Sequence, residues 1–114
     1  MGYQITVSDS YLMLVLDGDI DLQITAELKQ ELNTAFEHHL TAFGPKAGII
    51  IDASDVSYID SSGVAILLLA RMLCSQASLE FRISAVSAAA QHIIAAAKLE
   101  AVLRAEHILP SDSP

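Results

Sequence analysis

Residues 49–68 have the sequence IIIDASDVSYIDSSGVAILL, in which an apolar run, a polar segment and a second apolar run follow one another. The uninterrupted apolar run Ala47–Ile51 is typical of a central parallel strand that is covered on both faces. A polar connection is predicted next, up to Asp60. Either Asp60 or Ser61 has the side chain of a helix N-cap, and a helix is predicted from there to about Gln76.

The upstream sequence predicts a hairpin followed by a long helix. Tyr3–Val7 alternates apolar and polar residues, and Tyr11–Leu16 is a second, more apolar strand. The polar sequence Asp17–Asp19 is predicted to end that strand and open a loop. Apolar residues then recur at steps of three and four over about Leu22–Ala42, and a Gly-Pro pair stops this helix.

The downstream sequence predicts a further strand at Glu80–Val86 and an Ala-rich helix that Ser87 caps. Glu106–Leu109 is predicted to be a last short strand. The resulting order is β-β-α-β-α-β-α-β, in which strands alternating with helices favour right-handed parallel crossovers. The predicted fold is a single α/β domain, with a mixed, mostly parallel sheet, an N-terminal hairpin and helices packed mainly on one face.

Composition limits the class of protein. A chain of 114 residues with a 53% hydrophobic fraction suits one folded domain. Its net charge of −8 opposes contact with a phosphate backbone, so no nucleic-acid partner is expected.

Three features of the sequence indicate the cellular location. Cys74 is the only cysteine, which suits a reducing compartment. No basic region precedes an apolar run at the start, so we expect no signal peptide. The apolar run Val64–Ala70 is far shorter than the roughly 20 residues that cross a bilayer. We expect a cytoplasmic protein without direct membrane insertion.

Signatures of enzymes and metal sites are lacking. The four histidines lack the spacing of metal ligands, and we expect them at the surface or half-buried: His38, His39, His92 and His107. We therefore predict no catalytic residue, no metal and no cofactor. An alternative from another class is a small enzyme that uses Asp52, Asp60 and Ser61.

The start of the second predicted helix suits a phosphate group, because unpaired N–H groups and the helix dipole favour an anion there. Phosphorylation of Ser61 would add about −1.5 to −2 charges to an already acidic surface. The helix is apolar nearly all round, and we predict exposed apolar residues on the face that leads away from Ser61. The alternatives are that Ser61 only caps the helix and that Leu68 and Met72 only complete the core.

Residues 51–64, IDASDVSYIDSSGV, resemble the signature of STAS domains in bacterial anti-sigma-factor antagonists. Residues 16–21, LDGDID, are similar to the Gly-Glu-Leu-Asp loop that follows the second strand of that family. The order of elements agrees over essentially the whole chain. We expect a STAS domain over residues 1–109 and a flexible tail at residues 110–114.

The resemblance implies a partner switch controlled by phosphorylation. In such proteins the unphosphorylated form binds an anti-sigma factor that is also a serine kinase of the histidine-kinase-like ATPase class, and a sigma factor is released. The kinase inactivates the antagonist on the first serine of Asp-Ser-Ser-Gly, here Ser61, and a metal-dependent serine phosphatase restores it. Residues that match the surroundings of the phosphoserine are Asp21, Asp60, Ser62 and Gly63.

The partner is expected to bind the helix that follows Ser61, together with the upstream loop. The residues assigned to this surface are Asp19, Val64, Ala65, Leu68 and Met72. Ala65 replaces the second glycine that is usual in the family, and Asp19 replaces a glutamate. Neither departure removes the acceptor serine, although Ala65 enlarges the helix surface beside it.

A STAS domain outside sigma-factor control is the alternative within the family. Such a domain is a regulator of biofilm formation or secretion, a part of a stressosome, or a transport-associated subunit. It keeps the fold and the binding helix but has another partner. The transport-associated form often lacks the acceptor serine, so Ser61 argues against that form.

Overall fold

Strands and helices alternate along the residues that a computed structural model describes, 2–8, 11–43 and 48–96. Four strands and three helices lie within these ranges. Their order is β1 (Tyr3–Ser8), β2 (Tyr11–Ile20), α1 (Leu22–Phe43), β3 (Gly48–Ile59), α2 (Ser61–Gln76), β4 (Glu80–Val86) and α3 (Ala88–Ala96). The predicted hairpin strands, the three helices and β4 are confirmed. The predicted last strand and the tail lie outside the described residues.

The sheet is mixed, as the sequence predicts, with the strand order β1-β2-β3-β4. β1 pairs with β2 antiparallel, whereas β2–β3 and β3–β4 pair parallel. The register places Leu12, Ile49 and Phe81 side by side, and Leu14, Ile51 and Ile83 form the next row. All six side chains are buried, so one face of the sheet forms the core.

The helices cover this face, which confirms the predicted layer arrangement. α1 contacts β1 and β2, α2 contacts β3 and β4, and α3 contacts β3. Leu28, Leu32 and Phe36 bury the inner stripe of α1, whereas Ile66, Leu67 and Ala70 do the same for α2. Within the described residues, no helix is long and apolar enough to cross a membrane.

Two predicted strand ends are wrong. β2 continues through Asp17–Asp19 to Ile20, and the polar segment predicted to be a connection belongs to β3, which runs to Ile59. The two strands stay paired as far as Ile20 and Ile59, and their backbone ladder continues past two register shifts. Gly18 lies in this irregular part, at a φ of +70°.

Burial explains why the sequence did not reveal this extension. Beyond the regular part of β3, the buried residues are Ala53, Val56 and Ile59, one in every three. This spacing is typical of neither a strand nor a helix, since bulges shift which face each residue occupies.

Two predictions about burial are also wrong. Ile50 is only half-buried, so β3 is not fully covered on both faces. His39 is 2% exposed, although we expected a surface or half-buried position, and its Nε2 accepts the N–H of Gly48 at 3.5 Å. His38 and His92 are exposed as predicted, and His107 lies outside the described residues.

Candidate functional site

The N-termini of α1 and α2 lie next to each other at the carboxyl end of the parallel strands. Ile20 and Ile59 are partners in the β2–β3 ladder, and the helices begin two residues later at Leu22 and Ser61. The N–H of Asp60 also donates to the carbonyl oxygen of Ile20 at 3.2 Å. Both helices therefore direct their positive ends to the same edge of the sheet.

Asp60 is the N-cap of α2, which decides between the two candidates that the sequence left open. Its Oδ1 accepts the N–H groups of Ser62 at 2.9 Å and Gly63 at 3.2 Å, and the Ser62 hydroxyl at 2.5 Å. The Ser62 hydroxyl, and then the N–H groups of Gly63, Ser62 and Leu22, lower the pKa of Asp60 although burial opposes them. The carboxylate thus links the start of α2 to the start of α1.

Gly63 sets how closely α2 approaches the strand ends. A Cβ atom there would lie 2.9 Å from Cδ1 and still closer to Cγ1 of Ile59, and 3.0 Å from Cγ2 of Ile20. Any larger side chain at Gly63 would push the first turn of α2 away from Ile20 and Ile59. This requirement is steric, and the conformation of the glycine is not left-handed.

Ser61 is the remaining member of the Asp-Ser-Ser-Gly motif. It is exposed, and its hydroxyl makes no hydrogen bond to the described residues. Asp60 caps the helix, Ser62 supports Asp60 and Gly63 permits close packing, so Ser61 has no comparable structural role. Its hydroxyl is chemically available at the positive end of a helix.

An exposed stripe leads away from Ser61 along α2. It consists of Ser61, Ala65, Leu68 and Met72, at steps of four, three and four; Leu68 is half-buried and Met72 is 44% exposed. Met72 therefore does more than complete the core. Val64, which the sequence assigns to the same surface, is only 6% exposed, but it lines a groove that also contains Ser61.

Two apolar grooves flank this stripe. The α2–α3 groove, about 490 Å³, contains Ser61 and is lined by Tyr58, Ala65, Leu68, Ile93 and Ala96 among others. The α1–α2 groove, about 380 Å³, is lined by Leu22, Lys29, Ser62, Leu69 and Met72 among others. Ala65 and Leu68 line both grooves, so the stripe forms the ridge between them.

The two upstream aspartates lie at the same edge but have different surroundings. Asp19 is exposed and pairs in the sheet with Tyr58, whose side chain is 50% exposed. Asp21 is half-buried, and its Oδ1 accepts the N–H of Ile24 at 3.3 Å at the start of α1. Asp19 thus lies beside the α2–α3 groove, whereas Asp21 supports a helix end.

The geometry opposes an enzyme built on Asp52, Asp60 and Ser61. Asp52 and Asp60 are separated by seven residues of extended strand, which spans more than about 20 Å. Asp52 instead accepts the hydroxyl and the N–H of Ser54. Within the described residues, no cluster of His, Cys, Asp and Glu has the arrangement of a metal site.

Sequence reasoning missed the exposed apolar residues Leu22 and Tyr58, which are 68% and 50% exposed. Leu22 is the first residue of α1, a position where an apolar residue has no core to face. Tyr58 follows Val56 and Ser57 and lies in the segment predicted to be a connection. The signal in the sequence was an apolar residue within two positions of each capping aspartate, Asp21 and Asp60.

The chain belongs to the STAS domain family. The family model described as "Mlab, STAS domain" matches residues 3–108, which is nearly the whole chain. This match confirms the resemblance that residues 51–64 predict. Comparison with curated proteins finds no matching sequence.

Solved structures with a similar fold include two anti-sigma-factor antagonists and a third protein that is assigned to that class. SpoIIAA in its unphosphorylated form has a TM-score of 0.60 and 21% identity, over 72% of this chain and 71% of SpoIIAA. A Thermotoga maritima protein assigned to the same class has a TM-score of 0.72 and 16% identity, over 88% of this chain and 81% of its own. An antagonist from Mycobacterium paratuberculosis has a TM-score of 0.65 and 21% identity, over 95% and 84%. At these identities the likeness establishes the fold.

Proposed function

We propose that this chain is an anti-sigma-factor antagonist, which binds an anti-sigma factor with serine kinase activity and is inactivated by phosphorylation of Ser61. The state of Ser61 carries the proposal. It is the one exposed hydroxyl in the motif without a structural role, and it stands at the upper end of an exposed apolar stripe. The likeness to antagonist structures supports the same function.

Phosphorylation would act on the surface of the domain and leave its interior unchanged. The N–H groups of Ser62 and Gly63 already donate to Asp60, so a phosphate on Ser61 could replace Asp60 as the cap only by breaking these hydrogen bonds. The added charge of about −1.5 to −2 would lie beside the Asp60 carboxylate and in the α2–α3 groove. An apolar or acidic partner surface seated there would lose affinity, because it would have to desolvate or repel that charge.

In this function the chain is a substrate and a ligand but not a catalyst. ATP is bound by the kinase, which we assign to the histidine-kinase-like ATPase class, and a metal-dependent serine phosphatase restores the free hydroxyl. The chain itself needs no cofactor for either role. Both enzymes act in the cytoplasm, where we place this protein.

Phosphopeptide mapping tests the acceptor. The wild-type chain is incubated with extract of native cells and ATP, alongside Ser61→Ala and the matched variant Ser62→Ala. We expect phosphate on Ser61 in the wild-type and Ser62→Ala chains, and none in Ser61→Ala. Phosphate on another residue, or none while a control antagonist is modified in the same extract, contradicts the proposal.

The ridge of α2 provides a test of the docking surface with the kinase identified in that experiment. Leu68→Glu places a charge between the two grooves, and we expect it to weaken binding more than about ten-fold. Val7→Glu is the matched control, since Val7 is 54% exposed on β1, away from α2. Equal affinities of the two variants would exclude this surface. A large fall in melting temperature for Leu68→Glu alone would assign Leu68 to the core.

A second candidate function is a STAS regulatory or scaffold domain outside sigma-factor control. The name of the matching family model, which refers to Mlab and not to a sigma-factor regulator, favours this candidate. The phosphopeptide experiment separates the switch from a constitutive scaffold, because such a scaffold does not need a modified Ser61.

A further inference from the structure

We propose that the α1–α2 groove is a second docking surface, which binds an amphipathic helix of a partner protein with an acidic residue opposite Lys29. Ser61 lines the α2–α3 groove and not this one, although the two grooves share Ala65 and Leu68. The inference does not depend on the proposed function.

The shape of the groove suits a helix. Two stripes line it, each at helical spacing: Leu22, Thr25, Ala26 and Lys29 on α1, and Ser62, Ala65, Ile66, Leu69 and Met72 on α2. Both helices start at the same edge of the sheet and follow parallel strands, so the stripes run side by side. From Leu22 to Lys29 the α1 stripe extends about 10 Å, or two helical turns. Small residues in each stripe leave room for the side chains of a third helix.

The residues at the two ends of the groove are large and apolar. Leu22 is 68% and Met72 is 44% exposed, and each lies in the groove. Exposed apolar side chains that flank a groove are the anchors with which an apolar helix face binds. Methionine adapts its shape to a partner more easily than branched side chains do.

The charge of Lys29 indicates which kind of helix would bind in the α1–α2 groove. Lys29 is the only charged residue among the ten that line this groove. An acidic residue on the polar edge of the docked helix would pair with Lys29, whereas a lysine there would be repelled. The occupant is therefore an apolar helix with an acidic edge.

This groove is insulated from Ser61. Ser62 reaches the groove instead, and its hydroxyl already donates to Asp60. A charge on Ser61 lies on the far side of the ridge that Ala65 and Leu68 form. Helix binding here is therefore independent of the phosphorylation state.

The probe that tests the inference is a synthetic amphipathic helix of about 18 residues with leucines at helical spacing and glutamates along one edge. Its matched control carries lysines in place of the glutamates. Titrated into the full-length labelled chain and followed by NMR, the acidic peptide is expected to shift the amide signals of Leu22, Lys29 and Met72. The basic peptide is expected to bind about two- to five-fold more weakly.

Variants of the chain assign the contact. Lys29→Glu is expected to invert the preference between the two peptides, and Met72→Gln is expected to weaken the binding of both. Val7→Gln, at an exposed position on β1, should leave both affinities unchanged. Ser61→Asp is expected to keep the affinity within about two-fold, and a larger loss overturns the insulation from Ser61.

Other outcomes overturn the proposal. These are no binding of the acidic peptide, equal affinities of the two peptides, or signal shifts confined to other surfaces. Groove signals that move with the concentration of the free chain would assign the groove to a second copy. Contacts from residues 97–114 to Leu22 in the free chain would assign it to the chain's own C-terminal segment. None of these outcomes bears on phosphorylation of Ser61, so the two proposals fail separately.

Discussion

The starts of α1 and α2 lie side by side, yet their capping aspartates are held very differently. Asp21 accepts the single N–H of Ile24 at 3.3 Å. Asp60 accepts the Ser62 hydroxyl and two N–H groups of its own helix, and the N–H of Leu22 in the neighbouring helix further lowers its pKa. The aspartate at the start of α1 accepts one hydrogen bond, whereas the aspartate at the start of α2 accepts several.

This difference shows how a modifiable residue can stand in a structural turn. Because Asp60, Ser62 and Gly63 fix the first turn of α2, the turn does not depend on Ser61. A change at Ser61 should therefore alter what the domain binds without altering how it folds. Mutations at the two helix starts should separate these roles in the free energy of unfolding.

Gly63→Ala should have the largest effect. The new Cβ would clash with Ile59 and Ile20, and we expect the free energy of unfolding to fall by about 2–3 kcal/mol. Urea unfolding of the variant measures the loss, with Ala65→Ser as an exposed control two residues further along α2. Stability within about 0.5 kcal/mol of the wild type would show that the close packing at Gly63 is unnecessary.

Asp60→Ala should have the next largest effect. Loss of the cap should lower the free energy of unfolding by about 1–2 kcal/mol at neutral pH. Asp60→Asn, which retains a capping oxygen, should lose less. Equal stability of the Ala and Asn variants would show that the capping oxygen contributes nothing when the charge is absent.

The pH dependence of the wild type relative to Asp60→Asn has a defined sign. The folded-state pKa of Asp60 lies below its ordinary value of 3.8, so its charge contributes stability above that value. This contribution should disappear as the pH falls through the lowered pKa. Thermal melts at several pH values measure it, and an advantage that instead grows towards acid pH would contradict a lowered pKa.

Asp21→Ala tests the weaker cap. Since Asp21 makes one long bond to Ile24, we expect a loss of only about 0.5 kcal/mol, well below that of Asp60→Ala. The two variants should be compared in the same denaturant titration. Equal losses would mean that the extra bonds of Asp60 do not stabilise the fold.

Ser61→Ala should have the smallest effect on stability, within about 0.5 kcal/mol of the wild type. The Ser61 hydroxyl makes no hydrogen bond to the described residues, and alanine is accepted in a first helical turn. Ser62→Ala is the matched comparison, because it removes the hydroxyl that supports Asp60. A larger loss for Ser61→Ala than for Ser62→Ala would give Ser61 the structural role that we assign to Ser62.

Local patterns in the sequence predicted the order of elements, α1, α2 and β4, and they limited the cap of α2 to Asp60 or Ser61, since each depends on residues close in the chain. The ends of β2 and β3 depended on a partner strand and on bulges, so the burial of Ala53, Val56 and Ile59 followed no simple period.

The candidate site, like the fold, could be predicted only in part. Ser61 and the stripe through Leu68 and Met72 were predictable from helical spacing. The grooves were not, because they need Leu22 and Tyr58 from distant parts of the chain. Val64, next to Ala65 in the chain, is only 6% exposed, yet it lines the same groove as Ser61.

The most direct test of the switch compares the affinities of Ser61→Asp and Ser61→Ala for the kinase that modifies this chain, measured by calorimetry. We expect Ser61→Ala to bind like the unphosphorylated wild type and Ser61→Asp to bind more than about ten-fold more weakly. Both variants should keep the stability of the wild type, so that the difference belongs to the interface. Equal affinities would contradict a switch at Ser61.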